Sequence, residues 1–308
     1  MLIRSATLDD AQAIVRLACA AVPRWQRLNE SGLAEDVPYE ALSIYERWQH
    51  GGPWMSLETA VLWLNHLLRG AGLPLVVLDD AGHLLAYAEA FFGDEPHPFG
   101  KHLHLADLRL AEGAPPETAA ALLAHLSKSR QRLTISILAT DDEARERCQA
   151  LGFAPLASVR HWLINTQSGQ GFYKASPHLH ADPAQIQGWA MPIGRTSSAR
   201  QAWETLWTRL WDALPAIAQQ AHERLSFSAS GQTAFISLQA RLYDPRTADV
   251  SCWTAKPLTP ALLTALRDWG QRQGYKRLGL ALDDATAKLL PADAEATPLS
   301  HLTLTYAP

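Results

Sequence analysis

Four titratable side chains fall on two stretches that read as strands. Glu89 lies in LPLVVLDDAGHLLAYAEAFF, and His102, His104 and Asp107 lie in KHLHLADLRL. A carboxylate or imidazole held on a strand can take a proton from an attacking group, so each is a candidate general base. The two-residue period of a strand puts His102 and His104 on one face and Asp107 on the other. A second His-Leu-His, at His178 and His180, stands in a turn-rich stretch. The two pairs together could ligate a metal, but no carboxylate stands at a convincing ligand spacing, and no metal is expected. Cys148 sits in ARERCQAL, which reads as a helix, and a small buried thiol is its plainer role. No GxSxG, Walker or dinucleotide-binding motif occurs.

A different chemistry is suggested by LRLAEGAPPETAAALLAHL, residues 108–126, which reads as a strand, a tight loop and a helix. Phosphates settle at such junctions because the first N–H groups of a helix are unpaired and its dipole is positive there. This loop is a poor cradle. Gly113 is its one glycine, Pro115 and Pro116 have no N–H to donate, and Glu117 brings a negative charge.

The elements that must position these groups follow from periodicity. LIRSA reads as a first strand, with Thr7 capping the helix AQAIVRLACAAV. YEALSIYERWQ and SLETAVLWLNHLLRG read as helices, and Asp79–Gly82 turns a hairpin. After KHLHLADLRL come the helix PETAAALLAHLSKSR, the strand RLTISIL, a helix capped through Thr140 and Glu143, and the strand ASVRHWLI. NTQSGQGFYKASPHLHADP reads as a linker. Beyond it the pattern restarts. GWAMPIGR reads as a strand, SARQAWETLWTRLWDAL and PAIAQQAHERL as helices, and TAFISLQARLY and ADVSCWTA as strands; TPALLTALRDWGQRQG reads as a helix, and RLGLAL and SHLTLTY as strands. Ala121-Leu122-Leu123 returns as Ala261-Leu262-Leu263, and Asp141-Asp142 as Asp283-Asp284, at nearly the same offset, as an internal duplication requires.

This order of elements resembles the GNAT acetyltransferase superfamily. LIRSATLDDAQAIVRL is similar to the family's opening strand and helix, and LVVLDDAGHLLAYAEAFF to its central hairpin. DDEARERCQALGF resembles its closing signature at Ala144, Gly152 and Phe153. The resemblance implies an α+β fold of two tandem GNAT-like domains, each a mostly antiparallel mixed sheet with splayed central strands flanked by helices. The boundaries expected are 1–167 for the N-terminal domain, 168–188 for a linker and 189–308 for a degenerate C-terminal domain.

In the family, acetyl-CoA lies between the splayed fourth and fifth strands. It pairs with the backbone of strand four and rests its pyrophosphate on the next helix. By resemblance, Leu108 and Leu110 would offer that backbone, and Gly113, Ala114, Thr118 and Ala119 the loop and helix start; Asp141 stands where the signature has asparagine, a place that also suits a helix cap. The family loop has Gln or Arg where Ala114 stands and glycine where Glu117 stands. In the second half AKPLTPALLTAL has no glycine, and Lys256 is the nearby cation. Acetylation of an amine needs a base, for which Glu89, His104 and Asp107 are candidates with His102. It also needs an acid for the departing thiolate, and the family's tyrosine is replaced by Cys148.

Two functions are therefore expected as alternatives. One is an acetyl-CoA-dependent N-acyltransferase acting on a small-molecule amine. The other is a catalytically inactive tandem scaffold binding a small molecule or a protein partner.

Composition narrows the partners. A formal net charge of −4 and dispersed basic residues argue against nucleic acid. The densest basic group, Lys128, Arg130 and Arg132, reads as a solvated helix end. Three scattered cysteines suit a reducing cytoplasm, and no stretch is long and apolar enough for a membrane span. The chain is expected as a monomer or homodimer. The 11 Trp residues read as core or interface anchors, with Trp25, Trp48, Trp54 and Trp63 also able to line an apolar acceptor pocket.

Overall fold

The computed structural model describes residues 1–29, 31–129, 131–169, 172–218 and 222–306; Arg130 of the basic group lies outside them. The chain divides into two compact units. The first comprises Met1–Phe91, Leu105–Ser129 and Arg209–Gln219, and the second Phe92–His104, Arg130–Thr208 and Gln220–Pro308. Residues 130–167, expected in an N-terminal domain, thus pack with the second unit.

In the first unit, β1 (Leu2–Ser5) leads to α1 (Ala11–Ala20) and a small hairpin, β2 (Gln26–Leu28) and β3 (Ala34–Asp36), that periodicity did not reveal. The helices α2 (Ile44–Trp48) and α3 (Leu57–His66) follow. β4 (Leu73–Leu78) pairs antiparallel with β1 and with β5 (Leu84–Asp94). β6 (Lys101–Leu110), whose residues up to His104 belong to the second unit, and α4 (Glu117–Ser127) come next. Trp54 and Trp63 are buried in a core with Ile14, Leu64, Tyr87 and Phe91. Trp211, from the returning segment, stacks on Trp63 with ring centres 6.1 Å apart and meets Trp48 edge-on at 4.4 Å. These tryptophans serve as core.

The second unit holds β7 (Arg132–Leu138), α5 (Asp142–Ala150), β8 (Ala154–Asn165), β9 (Tyr173–Pro177), β10 (Ala190–Ile193) and α6 (Ala199–Leu206). After α7 (Pro215–Ala218), which belongs to the first unit, it continues with β11 (His222–Ala229), β12 (Gln232–Arg241), β13 (Asp244–Thr254), α8 (Pro260–Arg272), β14 (Arg277–Leu282), α9 (Asp284–Ala287) and β15 (Glu295–Tyr306). The strand order is β7-β15-β8-β14-β13-β12-β11-β9.

The two repeats exchange their last strands. β8, which follows β7 and α5, pairs antiparallel with β14. β15, which follows β14 and α9, pairs antiparallel with β7. β8 and β15 also pair with each other. This exchange explains why the division into units ignores the midpoint of the chain. The two recurring aspartates also play the same part: Asp141 accepts from Ala144 N at 2.9 Å, and Asp283 from Thr286 N at 2.6 Å. Asp141, not Thr140, therefore caps α5, and each such cap is worth about 1 kcal/mol.

Three expectations are corrected. The linker contains β9, which pairs with β11. HERL is strand rather than helix, because β11 and β12 form a hairpin turned at Ser230 and Gly231, both with positive φ as a tight two-residue turn requires. The helix starting at Ala199 ends at Leu206, and Trp203 and Trp207 stack at 4.3 Å in a buried cluster with Trp253.

Candidate functional site

Glu89 lies on β5 in the first unit and is 4% exposed. Its Oε2 accepts from Trp63 Nε1 at 2.9 Å, Trp54 Nε1 at 3.2 Å and the Tyr87 hydroxyl at 3.2 Å. Burial pushes its carboxyl up to about 7; the Trp63 bond pulls it down, and the charge of Asp107 raises it further. The sequence marked Glu89, but its indole donors lie 26 and 35 residues away on other elements, and nothing local in the sequence joins them to it. Asp107, on β6, is partly buried and bonded to Arg109 Nε at 2.7 Å; burial raises its pKa and Arg109 opposes the rise.

The expected phosphate loop is also in this unit, and two of its amides are already engaged. Ala114 N donates to Ala111 O at 3.1 Å and Thr118 N to Pro115 O at 2.9 Å. Gly113 has φ +74°, which sets the turn. Thr118 and Ala119 face the core, and Thr118 Oγ1 is buried without a hydrogen-bond partner. Leu108 is partly buried at the end of β6, and Leu110 is exposed.

The remaining candidates belong to the second unit. His104 is buried with Nδ1 3.0 Å from Thr134 Oγ1, and burial holds its pKa well below the usual imidazole range. His102 is 0% exposed. Its Nδ1 donates to Gly100 O at 2.9 Å, and its Nε2 stands 3.5 Å from Glu95 Oε1. Burial lowers its pKa, against the pull of Glu95. Glu95 is also paired with Arg195, Nε to Oε2 at 2.8 Å and Nη2 to Oε1 at 3.1 Å, and it accepts from Ala199 N at 3.1 Å. Cys148 is buried on α5, and burial raises its thiol pKa, which suits a packing role. Asp141 serves as the cap described above. His178 and His180 are both held by Gln185. Among the described residues no group of three or more His, Cys, Asp or Glu side chains is placed to hold a metal ion. Among them also, no helix is long and apolar enough to cross a membrane.

The second unit contains a splayed parallel pair. β13 and β14 are in register from Thr247 opposite Arg277 to Val250 opposite Leu280. Past that point β13 pairs instead with β10, Cys252 opposite Ile193 and Thr254 opposite Ala190. On the other side Gly194 N donates to Ala281 O at 2.8 Å. β10 therefore lies in the angle where the two strands part. Its alternation suits the place, with Met191 and Ile193 buried and Ala190 and Pro192 half-buried. Gly194 sits where the angle closes, at φ +85°; a Cβ there would come within 2.8 Å of Val250 O and 2.7 Å of Ser251 Oγ. Only glycine passes without displacing backbone.

Beyond β10 a cavity of about 590 Å³ remains in the same unit. It is bounded by the turn before α8, the start of α9, and residues of β8 and β10. Arg195, 6% exposed, forms part of its wall, with Phe99 stacked 3.2 Å from the guanidinium carbon.

No family model and no curated protein matches the sequence. Its likeness is to solved structures. Over 99% of its length the chain matches a conserved protein of unknown function from Enterococcus faecalis, called a probable N-acyltransferase, with a TM-score of 0.56, 12% identity and 72% of that chain covered. It matches a GCN5-related N-acetyltransferase from Kribbella flavida with a TM-score of 0.53, 12% identity and 71% of that chain covered. The likeness extends over nearly the whole chain, consistent with a tandem arrangement.

Proposed function

We propose that this chain, which has the GCN5-related N-acetyltransferase fold, is a small-molecule-binding tandem protein that has given up acetyl-CoA chemistry. The observation that carries this reading is β10. A cofactor that pairs with the free edge of the fourth strand needs that edge open, and in the second repeat Cys252 and Thr254 are already paired with Ile193 and Ala190. The first repeat's loop supports the same reading. Its Ala114 and Thr118 amides are engaged, two prolines have no N–H, and Glu117 is exposed at the helix start. The residues at both places do not fit acetyl-CoA in the fold's usual manner.

The cavity beside β10 is the place we assign to the ligand. Its volume falls within the range of small-molecule sites. The test is a melting curve with acetyl-CoA or CoA at high concentration. A ligand that binds only the folded state raises the melting temperature, so an unchanged value is expected and a saturable rise refutes the reading.

A second reading, N-acyl transfer to an amine by the first repeat, is favoured by Glu89. A carboxyl titrating near 7 is poised as a general base at neutral pH. It requires a rise in melting temperature with acetyl-CoA, together with turnover that Glu89→Gln abolishes.

A further inference from the structure

The geometry points to the chemical class of the cavity's ligand: an uncharged, mainly apolar small molecule carrying a carbonyl acceptor. This inference deepens the binding reading above and rests on it.

Most of the wall is apolar, including Phe99, Val159, Met191, Leu258 and Leu289. The charged lining groups are Glu95, Arg195, Lys256 and Asp283, two of each sign. Glu95 and Arg195 neutralise each other in a bidentate pair. Asp283 is engaged as the cap of α9, where it still carries a negative charge facing the same space as Lys256. A polyanion such as CoA or a nucleotide would enter with no net positive charge to meet it. A lone carboxylate would gain Lys256 but be opposed by Asp283 and Glu95.

Arg195 supplies the specific polar contact. A guanidinium has five N–H groups. Two go to Glu95, and Nη1 reaches Thr303 Oγ1 at 3.3 Å. The remaining donors belong to a side chain whose charge is already balanced, so they favour a neutral acceptor over an anion. Phe99 covers the guanidinium from one side, which fixes its plane.

The test uses N-phenyl-1-naphthylamine, an uncharged apolar dye that brightens on leaving water, with the full chain. Leu289→Trp and Ala285→Trp would crowd the cavity from partly or fully exposed positions. Leu242→Trp, at an exposed position outside the lining, is the control. One-to-one binding is expected. It should weaken at least tenfold in both crowding variants, stay unchanged in the control, and be displaced by decanamide but not by decanoate or CoA. Absence of binding overturns the inference. So does equal binding by the crowding variants, or displacement by decanoate or CoA as effective as by decanamide. The melting test separates the two levels: a shift with CoA ends the binding reading itself, whereas no shift together with no dye binding ends only the ligand class.

Discussion

Glu89 makes the stability of the first unit depend on pH in a sense opposite to that of most carboxylates. Its pKa is about 7 when folded, against an ordinary 4.5. The folded chain therefore holds a proton that the unfolded chain releases between those values, and stability falls as pH rises through that window. The contribution is fully present below pH 4.5 and lost by the time pH passes 7. At ~1.4 kcal/mol per pKa unit the loss is about 3 kcal/mol. Glu89→Gln isolates it, because an amide oxygen in place of Oε2 can still accept from Trp54, Trp63 and Tyr87 and carries no charge to bury. The assay is denaturant unfolding of both proteins from pH 4.5 to 8. Near pH 4.5 the two should agree within about 1 kcal/mol, and by pH 8 the variant should be the more stable by about 3 kcal/mol. Taking the difference removes the opposite slope of the buried histidines, whose lowered pKa values make stability rise with pH up to their unfolded value. A difference that stays flat across the window, or that favours the wild type at high pH, refutes the assignment.

Two further tests address the second unit. A Cβ on Gly93 would clash with the His102 ring, so Gly93→Ala should lower the melting temperature sharply, while in a His102→Ala background the same change should cost at least 1 kcal/mol less, the coupling expected of residues in contact. Glu95→Gln leaves Arg195 buried without its counter-charge and should destabilise by about 3–5 kcal/mol; a loss under 1 kcal/mol would mean that Arg195 finds another partner.

Much of the fold is written in local pattern. The amphipathic helices α1, α3 and α8 and the hairpin of β4 and β5 are signals within a few residues of one another, and the leucine and aspartate pairs are legible as a short pattern that returns in the second half of the chain. What escapes is decided by distant pairing. HERL has helical spacing, but β12 offers it a hairpin partner. The stretch around Tyr173 is rich in turn formers, yet it becomes an edge strand because β11 presents an open backbone. Ala190–Ile193 is legible as a strand, but nothing near it in sequence says that it will occupy a wedge formed by residues some sixty to ninety positions later. At the candidate site Glu89 is legible as a titratable group; that burial raises its pKa, against the pull of two indole donors, is a matter of packing alone. Cys148 and Asp141 keep the plain roles that small thiols and capping aspartates usually have.

The exchanged strands bear on how the chain is made. β7 has a neighbour waiting in β15, more than 150 residues downstream, and β8 has one in β14. During synthesis the first repeat's open backbone edge must stay soluble and unpaired until residues 295–306 have been translated. Each half thus lends a strand to the sheet of the other, so that a cut between them would leave both with an unpaired backbone edge.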